Sequence, residues 1–339
     1  IAPESHRDPG AAAGARAFPY NRWQKHVDTH ANNGGIRMKK GLMTGADGGT
    51  NSLDDIVAIA QKAEAGGFDS LWMANIFSLD AIMTLGTAGR ETQHIEVGTA
   101  VTPTYPRHPS AIAQQALTAA SMARNRFTLG IGLSHKMLIE DMLGMSFAKP
   151  ARHMKEYLDI LIPLLRGDVV NYDGNEYRVH NTQVKVPGVD DVPVIIAALG
   201  PAMLKLAGEL TAGTNTWMVG PKTMEQHIVA RLNAAATAAG RPAPRVIGGF
   251  PVVLTNAVEE TRAALTEPLA IYGQLPSYRA MLDREGLAHP QDMALIGDEA
   301  ALRAGIRRIE ESGVTDFNAA IMAADSETYE RTFGFLASL

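Results

Sequence analysis

The residues best suited to chemistry stand where short apolar runs end. Leu129-Gly130-Ile131-Gly132 opens directly into Leu133-Ser134-His135-Lys136. His135 can take or give a proton near neutral pH, Ser134 can donate a hydrogen bond, and Lys136 offers a charge to an anionic tail. For each alone, a surface or loop-stabilising role is at least as common. Asn75, after Leu71-Trp72-Met73-Ala74, holds the equivalent place on another run and could donate to a ring carbonyl or cap a turn. A second cluster is Ala198-Leu199-Gly200-Pro201-Ala202-Met203. Gly200 can take a conformation closed to other residues and Pro201 suits the first helical position, so the amides of Ala202 and Met203 are expected to point outward unpaired. Free N–H groups and the helix dipole together attract phosphate, although a plain strand-to-helix turn uses the same residues. Gly220-Pro221-Lys222 repeats the pattern.

A third segment runs from Val97 to Pro109 as Val-Gly-Thr-Ala-Val-Thr-Pro-Thr-Tyr-Pro-Arg-His-Pro. Glycine within a strand marks a bulge or a close backbone approach, and Pro103, Pro106 and Pro109 forbid regular structure. The strand end is therefore a shaped surface against which a flat ring could lie. Arg107 and His108 are expected to bond local carbonyls before a helix at Pro109 rather than to react. No G-x-S-x-G elbow, G-x-x-x-x-G-K-[ST] loop or H-E-x-x-H helix occurs. His26/His30 and Asp54/Asp55 read as an accident of the tail and a helix N-terminus, so no metal site is expected.

These segments need strands to carry them, and the chain supplies a βαβα rhythm from Met38 to its end. Strands are expected at 40–44, 70–74, 95–101, 127–131, 194–198, 214–219, 246–254 and 316–321. Helical patterns lie between them, among others at 53–65, 109–123, 152–165, 201–210, 222–238, 258–271 and 299–312. Eight units of about 38 residues fit a (β/α)8 TIM barrel, an α/β fold whose chemistry sits at the strand C-termini. A doubly wound open sheet is the alternative, but Gly45-Ala46-Asp47-Gly48-Gly49 lacks the dinucleotide spacing. Residues 133–149, 169–192 and 274–296 interrupt the rhythm. The middle one, with Tyr172-Asp173-Gly174-Asn175-Glu176-Tyr177, predicts a short hairpin. The outer two are lid candidates.

Composition sets the class. The 339 residues are 46% apolar, enough for a large core, and 31 Lys plus Arg stand against 36 Asp plus Glu for a net charge of −5. Neither sign forms a block, which argues against nucleic acid as a partner. Cysteine is absent, removing disulfides, thiolate metal sites and cysteine nucleophiles. No apolar run reaches the ~18 residues of a membrane span, and no secretory signal layout is present, so no membrane association and a cytoplasmic location are expected. Residues 1–37, with Phe18, Tyr20 and Trp23 in an Ala, Gly, Asn and His-rich stretch, read as an N-terminal extension or foreign arm outside the fold. The alternative is an arm that docks its aromatics on a neighbouring subunit. The domain is expected to span 38–339.

Taken in order, Gly66-Gly67-Phe68-Asp69-Ser70-Leu71-Trp72, Gly98-Thr99-Ala100-Val101-Thr102-Pro103 with Arg107-His108-Pro109, and Leu129-Gly130-Ile131-Gly132 resemble the bacterial luciferase-like superfamily. Arg152-His153, Glu156-Tyr157-Leu158, Ala198-Leu199-Gly200-Pro201, Ile296-Gly297-Asp298 and Ser312-Gly313-Val314 extend the likeness to the C-terminus. Arg107-His108-Pro109 and Gly132-Leu133-Ser134-His135 resemble the branch of LLM-class oxidoreductases that uses coenzyme F420 in place of FMN. The resemblance implies a barrel with a deazaflavin across its C-terminal mouth and the phosphate on Leu199, Gly200, Pro201, Ala202 and Met203. It implies a non-proline cis peptide at Ala100–Val101 that presses backbone against the ring, with Asn75, Thr102 and Ser134 beside it. Homodimers are common among such proteins.

Departures narrow the reaction. Sugar-phosphate dehydrogenases of the superfamily carry an Asp-His pair after strand two and a Glu after the strand-four glycines, where this chain has Asn75-Ile76 and His135. Ile76 cannot take a proton. A reductase acting on an apolar enone, imine or ketone fits better, with His135 as proton donor and Met43, Trp217 and Met218 lining a small-molecule substrate pocket. The alternatives are an FMN-dependent monooxygenase of the same fold and a barrel that binds flavin without turnover.

Overall fold

The computed structural model describes residues 37–45, 51–189 and 191–339. Phe18, Tyr20, Trp23, the pair His26/His30 and positions 46–49 of the first turn lie outside the described residues. Eight parallel strands form the barrel: β1 (Lys39–Thr44), β2 (Ser70–Met73), β3 (Glu96–Thr99), β4 (Phe127–Gly132), β5 (Val194–Ala197), β6 (Gly213–Trp217), β7 (Arg245–Leu254) and β8 (Asp316–Ile321). Each pairs with the next, and β8 returns to β1 with Lys39 opposite Asp316 and Met43 opposite Ala320. The sheet therefore closes, as the eightfold rhythm predicts.

Each strand buries one face against helices and the other inside the barrel, so apolar residues run almost without interruption along it. Five of the covering helices begin with proline, at 109, 150, 201, 221 and 276. Proline suits that position because it lacks the N–H that would go unpaired there. The helix Leu53–Ala65 starts from a capping box between Ser52 and Asp55, which explains the Asp54/Asp55 pair as a helix N-terminus.

The strand N-termini close the barrel floor with charge. The Arg245 guanidinium reaches Glu96 at 2.7 Å and Asp316 at 2.5 Å, and Thr128 donates to Glu96 at 2.6 Å. Burial alone would push the Glu96 carboxyl up, but Arg245, Lys39 and the hydrogen bonds to it outweigh that and hold it down at about 2. The Arg245 guanidinium also lies 5.7 Å from the centre of the Trp72 ring, which fills the barrel interior with Ile195 and Ile247.

The expected elements differ from the observed ones in a few places. The run expected at 95–101 breaks after Thr99 and resumes as Thr102–Pro103, paired with Ile131 and Gly132 of β4. The helix expected at 222–238 is wound as Pro221–Thr223, a wider turn at Met224–Val229, and Ala230–Ala238. The one expected at 258–271 divides at Leu265. A short strand Leu295–Gly297, not anticipated, extends β7. The predicted hairpin is present as Val170–Asp173 and Arg178–Thr182, antiparallel. Its turn amides at Asn175, Glu176 and Tyr177 donate to the Glu156 carboxylate, a tertiary contact that supplements turn chemistry.

Candidate active site

The strand C-termini surround a cavity of about 840 Å³, within the range of small-molecule sites. How the backbone makes room for it is set by glycines. Between β3 and β4 the Ala100–Val101 peptide is cis, as the resemblance implies. A Cβ on Gly130 would stand 1.9 Å from the Thr99 carbonyl oxygen, and one on Gly132 would stand 2.6 Å from a Val101 methyl. The bulge therefore occupies volume that side chains on β4 would otherwise fill. Gly98 does the same for Trp72, whose ring lies 2.4 Å from where a Cβ would be. The Thr99 hydroxyl ties the two strands by donating to Gly130 O at 2.6 Å.

Ala100 and Val101 line the cavity, together with Met43, Asn75, Ser134, His135 and Trp217 from the expected site residues. Thr102 and Met218 are buried and do not line it. The turn Leu199–Met203 opens from the end of β5 and is also outside the lining.

Of the two roles expected of Asn75, the structure has the cap: its Oδ1 accepts from Ala81 N at 3.0 Å at the start of the helix Ala81–Arg90, and the residue lines the cavity. Arg107 donates to Asp80 at 2.9 Å and His108 accepts from Ser110 N at 3.3 Å, so both are spent within the protein, but not chiefly on the local carbonyls expected, of which only Pro103 O stands near, 3.5 Å from Arg107. The charged side chains Arg107 and Asp80 stand in the lining but cancel each other. Gln115, which sequence reasoning passed over as a helix-face residue, lines the cavity with its Oε1 buried and unpartnered.

His135 follows Ser134, whose left-handed φ of 60° turns the chain sharply at the end of β4. Burial pushes the imidazole below its ordinary 6.5, so it is neutral at pH 7. Its ring meets Tyr278 edge to face at 5.9 Å. Lys136 turns away, exposed, towards Glu140 at 3.6 Å, and does not line the cavity. Both lid candidates border the site. Met137, Leu138, Ile139 and Leu143 come from the first, Leu275 and Tyr278 from the third. Tyr278 was missed because its helix falls in a stretch dominated by turn residues and charge, and Tyr272 because it lies just past the helix expected at 258–271.

The two candidate anion turns diverge. At Gly220-Pro221-Lys222 the expectation fails, because the protein fills the site itself. Glu285 accepts from Lys222 N at 3.2 Å and from Thr223 N and Oγ1 at 2.8 and 2.7 Å. At Gly200-Pro201 no side chain caps the helix, and a Cβ on Gly200 would meet nothing within 4 Å. Gly200 is there in an ordinary extended conformation, φ −84°, and not in one reserved for glycine. What it contributes is open space. The turn is held from behind by His227, which accepts from Arg231 Nε at 3.1 Å through Nδ1 and donates through Nε2 to Leu199 O at 2.8 Å. That pairing sets the neutral tautomer, in keeping with the lowering of this imidazole by burial and by Arg284 and Arg231.

A flat tricycle with an anionic tail suits these features. The cavity has the volume, the bulge presents backbone to it, Asn75 stands in the lining, and the Gly200 turn carries no side-chain cap. A family model described as luciferase-like monooxygenase matches residues 35–316. An F420-dependent glucose-6-phosphate dehydrogenase of Microbacterium testaceum is 31% identical over 57% of this chain and 60% of its own length. A 5,10-methylenetetrahydromethanopterin reductase of Archaeoglobus fulgidus is 33% identical over 48% of this chain and 49% of its own. The chain thus spans about half the length of the relatives it matches. Among solved structures, an F420-dependent secondary alcohol dehydrogenase bound to an F420-acetone adduct superposes with a TM-score of 0.77 at 19% identity, over 89% of this chain and 98% of that one.

Proposed function

Since the chain belongs to the luciferase-like monooxygenase family, we propose that it is an oxidoreductase that uses coenzyme F420 to exchange a hydride with an uncharged, mainly apolar carbonyl or unsaturated compound. Relatives named for F420-dependent reactions support the coenzyme. The observation that carries the reading is the cavity itself, in which the Ala100–Val101 backbone, the Asn75 amide and His135 border one space.

When bound, the deazaflavin supplies or accepts the hydride. The chain's own residues do the rest. Asn75 would orient the ring, and the amides of Ala202 and Met203 would hold the tail phosphate, with His227 keeping that turn in place. In reduction, the carbonyl carbon would gain the hydride and its oxygen a proton passed from solvent through His135. In the reverse direction, neutral His135 takes the hydroxyl proton as the carbon loses the hydride. The lid residues Leu138, Ile139 and Leu143 exclude water from the exchange.

The lining argues against a sugar phosphate. Ile76 stands where a proton-accepting pair would be needed, and Arg107 is already neutralised by Asp80. Titration of the purified protein with F420 and with FMN tests the reading, followed by anaerobic oxidation of reduced F420 by a ketone. Saturable F420 binding without FMN binding, and loss of the reduced coenzyme on ketone addition, is expected. FMN binding with oxygen-dependent turnover would assign a monooxygenase instead, and binding without hydride exchange a silent barrel.

A further inference from the structure

The cavity has two unlike sides. Asn75, Asp80, Arg107 and Gln115 gather on one, while the other is a wall of rings. Trp217 at the end of β6 meets Tyr272 edge to face at 6.4 Å, Tyr272 meets Tyr278 at 4.8 Å, and Tyr278 meets His135 at 5.9 Å. Met43 packs in the same apolar cluster, and Ile271 and Leu275 also line the cavity. Such a wall binds flat apolar bodies, because it buries large area with side chains already held by each other.

Within it, Tyr278 is half-buried in the cavity lining, and its hydroxyl makes no hydrogen bond among the described residues. A phenolic O–H in apolar surroundings that keeps no partner of its own is placed to receive one from a ligand. Among the described residues the neighbouring imidazole of His135 likewise makes no hydrogen bond, and the one cation in the lining, Arg107, is paired with Asp80.

We propose that this wall is the substrate subsite and that the Tyr278 hydroxyl donates a hydrogen bond to the oxygen of an uncharged aromatic or alicyclic ketone or secondary alcohol. The inference rests on the hydride-exchange reading above for what happens to that substrate, and it narrows the substrate class within it. Enones and ketones qualify through their oxygen. Pterins and phosphorylated sugars do not, because they demand more polar or charged partners than the wall supplies. In reduction, the carbon takes the hydride from the reduced coenzyme and the oxygen takes a proton passed from solvent through His135, while Tyr278 keeps its own proton and only holds the oxygen.

The test uses coenzyme-free protein, so its failure is distinct from a failure to bind F420. Acetophenone and ethylbenzene have the same flat shape and differ in the carbonyl. Their affinities are measured calorimetrically for the wild type and Tyr278→Phe, which keeps the ring that packs on Tyr272 and His135. Acetophenone is expected to bind Tyr278→Phe roughly tenfold more weakly than wild type, and ethylbenzene equally well to both. Equal effects on the two ligands, no effect on acetophenone, or no binding of either to the wild type would overturn the proposal. In the loaded enzyme, the same variant should raise KM for the ketone and leave the dissociation constant of F420 unchanged.

Discussion

At the scale of single residues, the site depends on a few side chains with little freedom to change. His135 is neutral at pH 7 because burial opposes its charge. In the proposed role of base in alcohol oxidation, it would stay competent below pH 6.5 and fail only when acidification protonates it. The rate should therefore be level from pH 7 upwards and fall on the acid side. In His135→Asn that acid limb should vanish and kcat drop by about 10²- to 10⁴-fold, while F420 titration gives an unchanged dissociation constant. Gly130 matters for space alone. Gly130→Ala places a methyl 1.9 Å from the Thr99 carbonyl oxygen, and the bulge would have to move. We expect a loss of about 1–3 kcal/mol, read as a lower urea midpoint, together with weakened coenzyme binding. His135 and Gly130 were both legible as members of one strand-end motif. That Gly130 serves the bulge on the neighbouring strand was not, because strand pairing is not written in either segment.

At the scale of elements, Gly200-Pro201 and Gly220-Pro221 look alike in sequence and have opposite fates. The difference is Glu285, which comes from 62 or 63 positions further along to cap the second turn. Glu285→Gln removes the charge that complements the helix end. It should cost about 1 kcal/mol in stability, measured by denaturant unfolding, without changing F420 affinity. If affinity for F420 fell instead, the phosphate would belong at the second turn and not the first. The same scale explains the lids. Residues 133–149 and 274–296 read as interruptions, and their positions after strands predict the mouth of the barrel. Their aromatic contribution, Tyr278 above all, could not be read because no periodicity singles out the inward face of so short a helix as Pro276–Glu285.

For the molecule as a whole, closure of the sheet brings Glu96, Arg245 and Asp316 from three distant strands to one floor. Glu96 is held at about 2 against an ordinary 4.5, so its pairing adds stability above pH 4.5 that is lost as the pH falls towards 2. Arg245→Met leaves two buried carboxylates without their partner, for an expected loss of about 3–5 kcal/mol at pH 7. Burial then raises Glu96, so acidification towards pH 5 should recover part of the variant's stability. Thermal unfolding across pH 4–7 checks this. A wild type and variant with parallel pH profiles would mean that the floor charges are not coupled.

The amino-acid order by itself determined the repeat of strand and helix, and with it the barrel and the end at which chemistry sits, because each unit's apolar period is local. It also marked a break in the third strand, the polar cluster at His135 and the glycine-proline turn at Gly200, while the place of the bulge at Ala100–Val101 came from the family resemblance. Only the tertiary structure decided which of the two glycine-proline turns stays uncapped, that the Asn75 Oδ1 is used in a helix cap, and that two late tyrosines stand beside His135. Those outcomes depend on residues far apart in the chain meeting across a closed sheet, and that information lies in the packing of elements and not in any one of them.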